Sequence, residues 1–127
     1  MLISLGFLIV GIGRPFLVDW IIAANERSAA ATLRSISRAQ IEYALRSATF
    51  GTLEQLVSAR VVDKSLQDGE DAGYKFSTQN VSAIHFEAIA IPVVAGSSGN
   101  MVFYIDETSV IRSSGGGLVP SASSPPL

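Results

Sequence analysis

The chain contains no cysteine, which excludes thiol nucleophiles, Cys-ligated zinc, iron–sulfur clusters and a disulfide framework. Its single histidine, His85, excludes the ordinary His-based metal triads and leaves any Ser-His-Asp scheme with one available base. Charge is scarce as well: 16% of the 127 residues are Asp, Glu, Lys or Arg, where soluble domains average about 25%. The nine Lys and Arg are scattered among eleven Asp and Glu for a net charge of −2, so no basic face is available to neutralise phosphates and no nucleic-acid partner is expected. Glycine and proline, frequent elsewhere, are missing from Phe16 to Phe50.

What the chain has in excess is apolar surface: 48% hydrophobic residues and a mean hydropathy of +0.39. The length suits one domain with a modest core, so surplus hydrophobicity points to lipid or to other subunits. It is concentrated at the N-terminus. Residues 1–13, MLISLGFLIVGIG, carry no charge, and after Arg14 and Pro15 the apolar run resumes to Ala24 with Asp19 as its only charge. Residues 1–24 therefore read as a hydrophobic arm. A buried core helix, a cleaved secretory signal and a plain single-span anchor compete for it, since about 20 apolar residues are needed to cross a bilayer. The preferred reading is an arm embedded in lipid in one state and packed against identical arms in another.

The 35 residues without Gly or Pro read as one long helix. Ile22, Ala29, Ile36 and Tyr43 recur every seven residues, with Leu33, Ala39 and Gln40 filling the positions between them, so they form one apolar stripe. Glu26, Arg27, Arg34, Arg38, Glu42 and Arg46 lie on the other side, where Arg38 and Glu42 are spaced to pair. The stripe is rich in Ala, which either permits close approach of a partner or simply favours helix. Asn25 reads as an internal polar position, Gly51 as the helix stop, and Thr52-Leu-Glu-Gln55 as a capping box opening a short helix to about Ala59.

Strand signals follow. Tyr74–Ser77, Ile84–Ala88, Val102–Ile105 and Val110–Arg112 are alternating or β-rich runs bounded by turns, and their short connections favour an antiparallel meander. Alternation puts Tyr74, Phe76, Ile84, Phe86 and Ala88 on one face, with Lys75, His85 and Glu87 facing solvent. The acidic loop Asp68–Gly73 matches no calcium-loop spacing. Trp20, Tyr43 and Phe50 read as core or interface packing. The tail, residues 113–127, has neither charge nor aromatic side chain and is expected to be disordered. The fold class is thus α+β: a long N-terminal helix packed on a small antiparallel sheet of about four strands, in three parts at residues 1–24, 25–112 and 113–127.

An apolar arm with a Pro near its end, a long Gly-free helix and a small sheet together resemble the type IV pilins and the pseudopilins of type II secretion. Ala24-Asn-Glu-Arg-Ser-Ala-Ala-Ala-Thr-Leu-Arg-Ser-Ile36 resembles their ANEASA-x-x-SLRTI stretch, and Gln40-Ile-Glu-Tyr43 the place where their helices carry an aromatic residue. Ser47–Leu56 looks like the crossover into the globular head, Gly73-Tyr-Lys-Phe76 like its GY-x-F strand, Ile91-Pro-Val93 like its AxPV segment, and Phe103–Arg112 like its F-[FY]-x-D-x-[ST]-G-V-I-R ending. The likeness covers all but the tail. The family's processing region, a basic leader, Gly-Phe and a nearby Glu in sequence, has no counterpart here, since Gly6-Phe7 has no basic residue before it and no Glu close behind, and Arg14 stands where the family is apolar. What the resemblance implies is either a start codon placed too late, with the leader lost, or a degenerate homologue that cannot be processed.

The resemblance implies a non-enzymatic structural subunit of a pilus or pseudopilus filament, without cofactor or metal. It implies anchoring in the bacterial inner membrane with a periplasmic head, then extraction into a cell-surface pilus or periplasmic pseudopilus. Expected partners are further pilin subunits, the pilus or type II secretion assembly machinery and membrane lipid. Leu2, Ile3, Leu5, Leu8, Ile9 and Ile12 are the expected core-packing residues of the arm, Pro15 the helix bend, and Ile22, Ala29, Leu33 and Ile36 the seam joining the helix to the sheet or to neighbouring subunits. The alternative is a monomeric membrane-tethered periplasmic binding or sensor domain. In genomic DNA the frame upstream of Met1 is expected to encode a basic leader, Gly-Phe and a nearby Glu; a stop codon immediately before Met1 counts against an assembling pilin.

Overall fold

In a computed structural model of the chain, which describes the backbone of residues 2–127 and the side chains of residues 17–127, the first helix, α1, spans Leu2–Ser47. Leu2, Ile3, Leu5, Leu8, Ile9, Ile12 and Pro15, the expected arm and bend residues, lie outside the described side chains. Among the described residues no helix is long and apolar enough to cross a membrane. The helix stops four residues before the expected Gly51. Ala48 takes the left-handed turn at φ 61° while its N–H bonds to the carbonyl of Ala44, so a non-glycine residue supplies the C-terminal reversal.

Gly51 has another use. The buried Gln40 side chain donates to the Gly51 carbonyl (2.6 Å) and accepts from the Gly51 N–H (2.8 Å), so both ends of its amide are satisfied by one residue of the crossover. A Cβ at Gly51 would stand 2.9 Å from the Tyr43 ring, which leaves no room for a larger residue without displacing it. The capping box then forms as its sequence dictates: Thr52 Oγ1 accepts from Gln55 N–H and the Gln55 side chain accepts from Thr52 N–H, starting α2, Leu53–Ser58. Leu53 and Leu56 enter the core. A single 3-10 turn, Lys64–Leu66, capped by Asp63, brings Leu66 in behind them.

The sheet has five antiparallel strands in sequential order: β1 (Glu70–Asp71), β2 (Tyr74–Gln79), β3 (Glu87–Pro92), β4 (Val102–Asp106) and β5 (Arg112–Ser114). This is one strand more than expected, because the acidic loop closes on itself. Ala72 and Gly73 both adopt positive φ (49° and 81°), the two-residue turn that matches strand twist, and pair Asp71 with Tyr74. The second expected strand is displaced: Ser82 Oγ accepts from the N–H groups of Ile84 and His85, and Ser82 N–H bonds to the His85 carbonyl, holding residues 82–85 as a turn. Ile84, expected in the core face, is consequently 83% exposed, and pairing starts at Glu87. The fourth expected strand also moves, to 112–114, after a turn with Ser109 at φ 64°.

Alternation within β2, β3 and β4 sends Tyr74, Phe76, Ala88, Ala90, Phe103 and Ile105 towards α1, and with Ala29, Leu33, Ile36 and Ala39 they form one continuous core. Phe76, Ala90 and Phe103 stand in register across three strands, so a small residue sits between two large ones where the helix lies over β3 and β4. Ala on the helix meeting Ala on β3 shortens the approach, and the Phe side chains fill the flanks. Phe50 closes the bottom by an edge-to-face contact with Phe86 at 5.0 Å.

The tail is not disordered as its composition suggested. Ser113 N–H bonds to the Pro125 carbonyl, Leu127 N–H to that of Ile111, and Arg112 Nη1 to that of Ser124 (2.7 Å), so residues 124–127 lie along the free edge of β5. Its order comes from backbone pairing to an unfilled edge, which needs no apolar side chains. Gln40→Ala orphans the buried Gly51 N–H and carbonyl at once; unfolding of the full chain in urea is expected to show a loss of about 2–4 kcal/mol, while the exposed Gln67→Ala, away from these bonds, changes stability little.

Candidate functional site

Helix α1 presents two faces with different partners. On one side Ile22, Ala29, Leu33 and Ile36, the expected seam residues, are buried against the sheet of the same chain, with Leu33 fully inaccessible. Burying such aliphatic side chains stabilises the fold by about 1.5–3 kcal/mol each. Polar contacts fix the height of the helix on the sheet. Asn25 Nδ2 donates to the Ser98 carbonyl (2.9 Å), and Glu26 Oε2 accepts from the N–H groups of Asn100 (2.9 Å) and Met101 (3.0 Å). Tyr74 Oη donates to the Met101 carbonyl (2.7 Å), and burial, reinforced by the Glu26 charge, pushes its phenol well above the ordinary value. Gly73 is needed here twice: it is left-handed, and a Cβ on it would sit 2.7 Å from the Asn25 amide.

The opposite face has no partner within the described residues. Trp20, Arg27, Arg34 and Ile41 recur every seven residues, and Arg38 and Leu45 repeat the same interval, so at 100° per residue all six fall in a wedge of about 60°. All are exposed, Trp20 by 64% and Leu45 by 84%. Leu17 and Ile21 widen the apolar end near Trp20. The sequence carries this line as plainly as it carries the seam, in a second heptad on the charged side, which the stripe of Ile22, Ala29, Ile36 and Tyr43 overshadows. Among the described residues Trp20 therefore belongs to no core cluster, while Tyr43 and Phe50 pack against the core.

Three arginines stand in the middle of that line. Two of the three acids of α1 are already engaged, Glu26 by the backbone of residues 100 and 101 and Glu42 by Arg46 at 2.6 Å, and the third, Asp19, lies two turns before Arg27. The anticipated Arg38–Glu42 pair does not form, because Glu42 takes the arginine one turn C-terminal, the more favourable orientation along the helix dipole. Arg38 donates to Ser35 Oγ instead (3.2 Å), and no carboxylate lies within 4.0 Å of Arg27, Arg34 or Arg38 among the described residues. Arg27 and Arg34 also rim an open groove of about 500 Å³ whose floor is Ala23, Ala30, Met101 and Phe103.

Titratable groups gather at one further place. His85 is not a free solvent-side strand residue; from its turn it sets Nε2 3.0 Å from Glu87 Oε2 and Nδ1 2.6 Å from Glu107 Oε1. Both ring nitrogens can donate only in the imidazolium, so the geometry favours the charged form. The Glu87 hydrogen bond, aided by Glu107 and outweighing partial burial, raises the His85 pKa. For Glu87 burial is outweighed by hydrogen bonds from Gln79, Asn80 and His85, and for Asp106 by those from Thr108 and Tyr104, so both carboxyls are held below their ordinary range. Among the described residues no group of three or more His, Asp or Glu is arranged to hold a metal ion. Its effect is to staple the turn before β3 to the turn after β4.

Because the folded-state pKa of His85 is raised, its stabilisation is present in full below about pH 6.5 and is lost as pH rises through the higher folded value. Glu87 and Asp106 stay ionised throughout that interval, since their pKa values are lowered. Urea unfolding of the chain is expected to show stability falling as pH rises above about 6.5, and His85→Asn to remove that slope; an unchanged slope in the variant would mean that His85 is not its source. Compared with known proteins, the chain matches no family model and no curated protein.

Proposed function

We propose that the chain is a structural subunit of a filament of the type IV pilus or pseudopilus kind, held in the bacterial inner membrane by its arm before assembly and performing no chemistry. The observation that supports this reading is the uncovered line on α1: one face of the helix is consumed by its own sheet, while the other keeps Trp20, Ile41 and Leu45 in water. Exposed apolar groups spread over about 38 Å of helix suit repeated contact with further copies of the chain better than a small ligand. Extraction from the membrane exchanges lipid for protein around residues 1–24, so the hydrophobic gain is small and close packing must favour the filament. Contacts that run head to tail without closing give an open helical polymer. The assembly machinery of a pilus or of type II secretion would supply the work of extraction.

The groove of about 500 Å³ beside Arg27 and Arg34 favours the second reading, a monomeric tethered binding or sensor domain on the periplasmic side of the membrane. Formaldehyde cross-linking in cells making the full chain separates the two. A ladder of multimers is expected, and replacing Ile41 and Leu45 together by Asp should weaken it by about tenfold, since each loses apolar burial worth about 1.5 kcal/mol or more. Recovery of monomer alone at every cross-linker dose overturns the filament and leaves the tethered domain.

A further inference from the structure

We infer that the arginine line of α1 in one subunit receives the acidic sheet edge, Asp68 to Asp71, of a second copy; this rests on the filament reading and names the contact within it. The chain divides its charge unequally. Residues 1–47 carry a net +2 and residues 48–127 a net −4, so stem and head of two copies attract where stem and stem repel. Four of the eight acids of the head are occupied: Glu87 and Glu107 by His85, Asp106 by Tyr104 and Thr108, Asp63 by the cap it makes to Ser65. Glu54 on α2 and the cluster Asp68, Glu70 and Asp71 remain, and none has a cation within 4.0 Å among the described residues; only the cluster sets three acids side by side. Lys75 stands opposite Glu70 across the β1–β2 pair without closing an ion pair.

The two surfaces also match in position and scale. Strand β1 is the outermost of the sheet, so Glu70 and Asp71 line an edge that no neighbouring strand covers. Asp68 to Asp71 spans at most about 10 Å of extended chain, and Arg27, Arg34 and Arg38 occupy about 16 Å of one helix face, within reach of long guanidinium side chains. A single exposed ion pair contributes little. Three pairs repeated at every subunit add through multivalency, and they also fix register, because displacing the edge along the helix would set the acids against the apolar ends at Trp20 or Leu45.

The absence of cysteine makes the contact directly testable in the full chain assembled in cells. Ser35 lies between Arg34 and Arg38, Gln67 adjoins Asp68, and both are exposed. Cells making S35C and Q67C together are expected to yield a disulfide-linked dimer under mild oxidation, absent from either variant alone. A chain carrying both substitutions should give a ladder. R34E with R38E should reduce the ladder at least tenfold, and adding D68R with E70R should restore it. A formaldehyde ladder without any S35C–Q67C disulfide overturns this contact and leaves the filament standing. A disulfide ladder indifferent to charge reversal also overturns it, while no ladder by either method removes the filament reading as well.

Discussion

Everything described here depends on how α1 spends its two faces. Leu33, Ile36 and their neighbours must be buried, and among the described residues they are buried by the side of the sheet bearing Phe76, Ala90 and Phe103. Once that contact is made, the remaining face is committed to solvent or to another molecule. Two polar anchors keep the choice fixed. Asn25 and Glu26 hold the loop before β4 at one end, and Gln40 holds Gly51 at the other, so the helix can neither slide along the sheet nor rotate to hide Trp20. Each anchor pairs a side chain with backbone groups, and at Gly51 those groups would otherwise be buried without partners.

The same economy explains the unpaired arginines. Glu26 sits one residue before Arg27 and could have screened the helix charge, but its carboxylate is turned to the Asn100 and Met101 N–H groups. Structural use of an acid thus leaves a cation uncompensated on the opposite surface. The head shows the converse: His85 gathers Glu87 and Glu107, while the acids of the β1 edge are left alone. A free cationic line and a free acidic edge on one molecule are complementary only between copies.

Helix existence, the internal place of Asn25, the capping box at Thr52 and the antiparallel order of strands were all legible in residue order, because each rests on local spacing. The misplaced boundaries have physical causes of the same kind as one another. Ile84 looks like a strand residue by type, but Ser82 offers two hydrogen bonds that hold a turn and push it into water. Ala48 ends the helix in a conformation that composition would assign to Gly51, since Gly51 is required against Tyr43 and Gln40. The tail has nothing to bury, yet an open strand edge orders its backbone.

By itself the sequence determined the amphipathic division of the helix, the α+β class and the exclusion of cysteine and multi-histidine chemistry, for these follow from composition and from periods of two and seven residues. Only the tertiary structure decided which charges are free. Glu26, Glu42 and Glu87 look equally available along the chain, yet Glu42 and Glu87 engage side chains four and two residues away while Glu26 serves an N–H 74 residues distant, which only the packing of helix on sheet brings beside it. Spacing records what a residue can reach within its own helix or strand; it does not record which backbone groups the fold will bury beside it and oblige it to satisfy.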